Sequence, residues 1–124
     1  MKKIIPRILL CLACWGCGSN DKDGAKEKAA TADVTNDPVF VAGRDLVANS
    51  GCNSCHRVDE TMTGPAYRKV AEKYEYTPEN VAMLTQKVIH GGSGNWGTIP
   101  MLPHPNLAKG DVETMIKYVL MLRK

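Results

Sequence analysis

Aromatic side chains are scarce in this 124-residue chain: they make up 6%, with a single phenylalanine, Phe40. A domain this small has a thin protein-only core, and without aromatic bulk something besides the chain must fill its interior. No segment carries strand signals and no βαβ pattern is present, which removes the thioredoxin-like folds. Histidine is limited to His56, His90 and His104, and the last two stand singly, so no second close Cys or His pair completes a four-ligand zinc site. There is no basic run and no interleaving of basic with aromatic residues, which excludes nucleic acid as a partner. The one long apolar stretch, Ile8 to Trp15 with Ile4 and Ile5, falls far short of the roughly 20 residues that a membrane-spanning helix needs.

That apolar stretch follows Lys2, Lys3 and Arg7, and together they read as an export signal over residues 1–16. Cys17 then opens an abrupt change to Gly18-Ser19-Asn20-Asp21, which resembles the start of a bacterial lipoprotein with a lipidated cysteine as its first mature residue. Gly16 suits the cleavage position, whereas Cys14 and Trp15 depart from the usual Leu-Ala before it. Cys14 is the second choice for lipidation, and a plain cleaved signal is the alternative. Residues 17–37 are expected to form a flexible linker of small and charged residues, with an r.m.s. span of roughly 25 Å. Removing the three basic residues of the signal leaves thirteen basic and thirteen acidic side chains, so the mature chain is near neutral despite its formal +3.

Against this background stands Cys52-Asn53-Ser54-Cys55-His56, a Cys-x-x-Cys-His run with the pattern of a covalent c-type haem attachment site. Two thiols three positions apart, on a turn entering a helix, can each add to a vinyl group on one porphyrin edge, and the adjacent imidazole then ligates the iron. The same pair of cysteines could serve zinc or a dithiol redox centre, but the accompaniments those need are the ones missing above. Of the five cysteines, Cys11 and Cys14 leave with the signal, Cys17 takes lipid, and Cys52 and Cys55 hold haem, so no disulfide is required.

The domain, residues 38–124, is expected to be all-α, with four helices around one haem. Asp37-Pro38 caps a first helix running toward Asn49, with Phe40, Gly43, Leu46 and Val47 on one face. Gly43 inside a helix costs about 1 kcal/mol relative to Ala, which implies a close crossing, and the partner is the last helix, Asp111 to Leu122, with Tyr118 or Val119 over the glycine. A helix from about Ala66 to Lys73 follows Thr63-Gly64-Pro65, and another opens at Thr77-Pro78-Glu79 and closes at Gly91. Four glycines between Gly91 and Gly97, then Thr98-Ile99-Pro100-Met101-Leu102-Pro103, exclude a helix or a central strand and predict a loop lying against a flat group. Met101 sits in that loop, forty-five residues after His56, far enough for the chain to return over the opposite haem face. Met62 follows His56 too closely, and Met83, Met115 and Met121 lie in apolar helical patterns as core filler. His90 and His104 are the rival axial ligands.

Gly43-Arg44-Asp45-Leu46-Val47, the Cys52–His56 run, Gly64-Pro65-Ala66-Tyr67 and Gly92-Ser93-Gly94-Asn95-Trp96-Gly97-Thr98-Ile99-Pro100-Met101, in that order, resemble the small bacterial class I cytochromes c over about residues 38–124. The resemblance implies that His56 is the proximal ligand and Met101 the distal one. It also implies that the Pro65 carbonyl accepts the second imidazole proton and that Trp96 hydrogen-bonds a haem propionate. An aromatic residue often found before the haem site is Val47 here, and the basic rim of mitochondrial relatives is not evident.

Two axial protein ligands leave no open coordination position, which suits outer-sphere electron transfer. The expected function is a non-enzymatic single-haem carrier between membrane respiratory or dehydrogenase complexes and a terminal oxidase or reductase. It would take redox proteins as partners and no small-molecule substrate. Its expected place is the periplasmic or cell-surface side, anchored to a membrane by lipid. The alternatives are a fixed subunit of a larger oxidoreductase and a haem sensor or enzyme with a displaceable methionine.

Overall fold

The computed structural model describes residues 33–124. The export signal over 1–16, Cys14, Cys17 and the linker as far as residue 32 lie outside the described residues. Four helices follow in order, α1 (Pro38–Asn49), α2 (Tyr67–Lys73), α3 (Pro78–His90) and α4 (Lys109–Met121), and a hairpin of β1 (Gly92–Gly94) and β2 (Gly97–Met101) stands between α3 and α4.

Helices α1 and α3 start where their sequences supply a capping oxygen followed by proline, whereas α2 and α4 start without a side-chain cap. The Asp37 carboxylate accepts the Val39 and Phe40 amides at 2.7 and 3.2 Å, with Pro38 in the first turn where its missing N–H costs nothing. Thr77 does the same for α3, its hydroxyl accepting the Asn80 amide at 3.2 Å. At the other end of α3, Gly91 adopts φ +69°, and its N–H donates to the Lys87 carbonyl at 2.8 Å.

Helix α4 is the centre of the frame and packs on α1, α2 and α3 in turn. It buries Val112, Met115, Ile116, Tyr118, Val119 and Leu120. Against these α1 sets Phe40, Gly43 and Val47, α2 sets Tyr67 and Val70, and α3 sets Val81 and Leu84. Gly43 is the point of closest approach: a Cβ there would stand 2.5 Å from both the Thr114 carbonyl oxygen and the Tyr118 Cβ. The crossing expected from the glycine is therefore real, and Tyr118 rather than Val119 covers it. The Phe40 and Tyr118 rings meet edge to face at 4.9 Å beside this crossing.

Three local features differ from expectation. The linker does not stay irregular up to Asp37, because residues Val34–Asn36 form a 3-10 turn whose Asp33 side chain accepts the Thr35 amide. Cys52–Ser54 is likewise a 3-10 turn, closed at Cys55, and does not continue into a helix. The glycine-rich segment is not a loop but an antiparallel ribbon, pairing Gly92 with Met101 and Gly94 with Gly97. Pro100 and the glycines exclude a central strand, yet each of these strands has only one neighbour, so Pro100 can turn its ring to the open edge. Positive φ at Gly92, Gly94 and Gly97 supplies the tight reversal.

Candidate functional site

The attachment run sits on a turn that backbone geometry sets up. Gly51 takes φ +73°, the left-handed conformation that lets α1 end and the chain reverse into Cys52. The Ser54 hydroxyl donates to the Gly51 carbonyl at 2.8 Å, and the Cys55 and His56 amides both donate to the Cys52 carbonyl, at 3.2 and 3.1 Å. Both thiols are free; Cys52 is half-buried and Cys55 exposed. Burial pushes the Cys52 thiol above its ordinary pKa, only partly offset by a backbone hydrogen bond, so its protonated form is favoured.

His56 is held in one orientation by three contacts. Its Nδ1–H donates to the Pro65 carbonyl at 2.8 Å, which fixes the tautomer and leaves the Nε2 lone pair available to a metal. The Tyr67 ring stacks on it, with centroids 5.4 Å apart and planes 18° from parallel. Gly64 lies against the ring so closely that a Cβ there would stand 2.7 Å from Nδ1 and 2.8 Å from Nε2. The loop that brings Gly64 and Pro65 back to the histidine is tied by Gly64 N–H to Cys55 O at 2.9 Å and Tyr67 N–H to Arg57 O at 2.8 Å. Arg68 ties it further, with an ion pair to Asp59 at 2.6 Å and a hydrogen bond to the Leu122 carbonyl.

Cys52, Cys55, His56, Pro65, Trp96 and Met101 all line one cavity of about 490 Å³, open to solvent on one side. Val47, Leu84, Met115 and Ile116 contribute to its walls, which are mostly apolar. Its size is that of a site for a large flat organic group rather than for a bare ion. A glycine cradle around one imidazole, a fixed nitrogen donor, two thiols on the rim and a thioether on the hairpin form a donor set that fits a covalently attached haem. No group of three or more His, Cys, Asp or Glu side chains with metal-binding spacing occurs among the described residues.

The rival ligands differ in where they stand. Met62 is 42% exposed and takes no part in the cavity wall. His90 points to solvent, its Nε2 hydrogen-bonded to the Gln86 amide oxygen at 3.0 Å. His104 does line the cavity, with its backbone N–H shared between the Val88 and Ile89 carbonyls. Met115, expected only as core filler, is 3% exposed in the core and also reaches the cavity wall.

Tyr67 and Lys87 were not legible as site residues. Tyr67 is 6% exposed, its hydroxyl has no hydrogen-bond partner among the described residues, and burial raises its pKa well above the phenol range, with the nearby Cys52 adding to the shift. It therefore presents a neutral aromatic face to His56. Position 67 falls one residue after a Gly-Pro-Ala bend, where a tyrosine at a helix start reads as ordinary packing. Lys87 stands in the last turn of α3, and its ammonium reaches the hairpin beside Gly92.

Four helices framing an apolar cavity, with a Cys-x-x-Cys-His turn on one wall and a methionine on a hairpin, define the class I cytochrome c fold. The chain belongs to the cytochrome c family, whose model matches residues 40–123. It is an electron-transfer protein rather than an enzyme, and it carries one covalently bound haem c. It is similar to cytochrome c-551 of Allochromatium vinosum, with 37% identity over 83 residues, 67% of this chain and 88% of that protein. Cytochrome c-551 of Pseudomonas aeruginosa is 40% identical over 75 residues, covering 60% of this chain and 71% of that one. The crystal structure of wild-type cytochrome c552 from Nitrosomonas europaea superposes with a TM-score of 0.61 at 34% identity, covering 64% of this chain and 99% of that one.

Proposed function

We propose that this cytochrome is a single-haem carrier on the periplasmic or cell-surface side, moving electrons from membrane respiratory or dehydrogenase complexes to a terminal oxidase or reductase. Cys52 and Cys55 attach the haem, His56 and Met101 ligate its iron, Pro65 orients His56, and Trp96 donates to a propionate. The observation that carries this reading is the shared cavity: the imidazole with its free Nε2 and the hairpin methionine both reach it. Haem held there supplies one reversible electron, and two protein ligands leave no position for a substrate. The exposed Trp96, Ile99 and Leu102 beside the cavity mouth keep the path to a partner short. Carbon monoxide added to the ferrous protein tests this. The spectrum should not change, whereas a bound adduct forming at neutral pH would favour a sensor or enzyme with a displaceable methionine.

Export and lipidation at Cys17 complete the proposal. No described helix is long and apolar enough to cross a membrane. Acyl chains on Cys17 contribute about 0.8 kcal/mol per buried methylene, enough to hold a near-neutral protein on a bilayer without help from charge. The tether raises the effective concentration of the haem domain near membrane-bound donors and acceptors. Wild-type protein should resist high-salt extraction and yield to detergent, and Cys17→Ser should move it to the soluble fraction with its haem spectrum unchanged. A wild-type mass without added acyl chains would rule the anchor out.

A further inference from the structure

We propose that Lys73 is a positioning residue for the haem-facing hairpin: its ammonium latches Asn95 and Trp96 to the end of α2 and so steadies the arm that carries Met101. The proposal deepens the haem-site reading and rests on it for the role of that arm. Lys73 is the last residue of α2. Its Nζ donates to the Asn95 carbonyl at 3.0 Å, across 22 residues of sequence. The same ammonium stands 4.5 Å from the centroid of the Trp96 ring and 5.6 Å from that of Tyr74, the geometry of a cation held against aromatic faces. Lys73 makes no ion pair among the described residues; its partner is the hairpin.

The hairpin needs such a support. It is a two-stranded ribbon, three residues against five, with residues 93–100 exposed, and an isolated ribbon of that kind is marginal in water. Its base is secured where Gly91 packs on the backbone of residues 101–103 and where His104 N–H meets the end of α3. At the far end, the Lys73 hydrogen bond is the one side-chain hydrogen bond that reaches residues 92–101 from elsewhere among the described residues. The base and the tip are thus held by different elements, α3 and α2. Releasing the tip removes the cation from the Trp96 face and lets the ribbon open locally, on its own free-energy scale, while α4 stays packed.

Hydrogen exchange on the haem-loaded protein tests the latch. Lys73→Met keeps the aliphatic stem but loses the donor and the charge, and Lys73→Arg keeps both. Amides of residues 92–99 and 101 should exchange about 5- to 30-fold faster in Lys73→Met, while those in α4 keep wild-type rates and Lys73→Arg stays close to wild type. The ferric iron–thioether absorption band should also disappear at a lower temperature in Lys73→Met. Unchanged hairpin exchange, an equal rise throughout α4, or a Lys73→Arg protein behaving like Lys73→Met would each overturn the latch. If the wild-type protein shows no such band, Met101 is not the ligand, and hairpin exchange still decides the role of Lys73.

Discussion

Cys52→Ala/Cys55→Ala protein, purified free of haem, is expected to lose most of its helical circular dichroism and to show no cooperative melt. The core of α4 borders the haem cavity directly: Met115, Ile116 and Val119 form part of its wall, as do Val47 of α1 and Leu84 of α3. Tyr67 and Val70 of α2 complete the wall, so without the group that fills it a cavity of about 490 Å³ faces all four helices. At about 24 cal/mol per Å³, such a void costs on the order of 10 kcal/mol, an upper bound because water can enter from the open side. That is comparable with the whole stability of a small domain, about 5–15 kcal/mol. The scarcity of aromatic residues points the same way, since among the described residues Phe40, Tyr67 and Tyr118 are the only aromatics in the buried core. Wild-type helix content with a cooperative transition in the haem-free variant would show that the chain's own core suffices.

Met101→Ala is expected to abolish the weak charge-transfer band of a ferric iron–thioether bond and to lower the reduction potential. Thioether sulfur favours ferrous over ferric iron, so its loss favours the oxidised state, and axial ligation as a whole moves haem potentials over a range of about 0.8 V. A fall of a tenth of a volt or more is expected, on the order of an eighth of that range. The variant should still hold haem and keep its helices, because Met101 lies on the hairpin and makes no part of the helix–helix core. Optical spectroscopy with a redox titration checks both. A band and potential identical to wild type would transfer the ligand to another side chain, and His104 or Met115, which share the cavity wall, would be the residues to replace next.

Much of the frame could be read from the chain because its signals are local. Asp37-Pro38 and Thr77-Pro78 put a capping oxygen and a rigid φ at adjacent positions, and both helices begin there. The α1–α4 crossing was legible because a glycine inside a helix has a cost that a close approach explains, and Thr114 and Tyr118 supply that approach. Cys52, Cys55 and His56 stood out as candidates by their spacing, read together with the lack of a second Cys or His pair. The hairpin did not. Proline and glycine lower strand propensity residue by residue, whereas an isolated two-stranded ribbon forms through pairing between Gly92 and Met101, which no single residue announces. Lys73 was equally silent. Nothing local separates a lysine at a helix end from any solvated one, and its partners lie 22 and 23 residues downstream. The stack of Tyr67 on His56 likewise exists only once Pro65 and Gly64 have folded back over the imidazole.

The claim on which function depends is that one haem lies between His56 and the hairpin, bound through both cysteines. A crystal structure of the haem-loaded protein measures this directly. It should show thioether bonds from Cys52 and Cys55, and iron bonded to His56 Nε2 on one face and to the Met101 sulfur on the other. Iron with water, His104 or any other side chain opposite His56, or a haem without bonds to both cysteines, would contradict it.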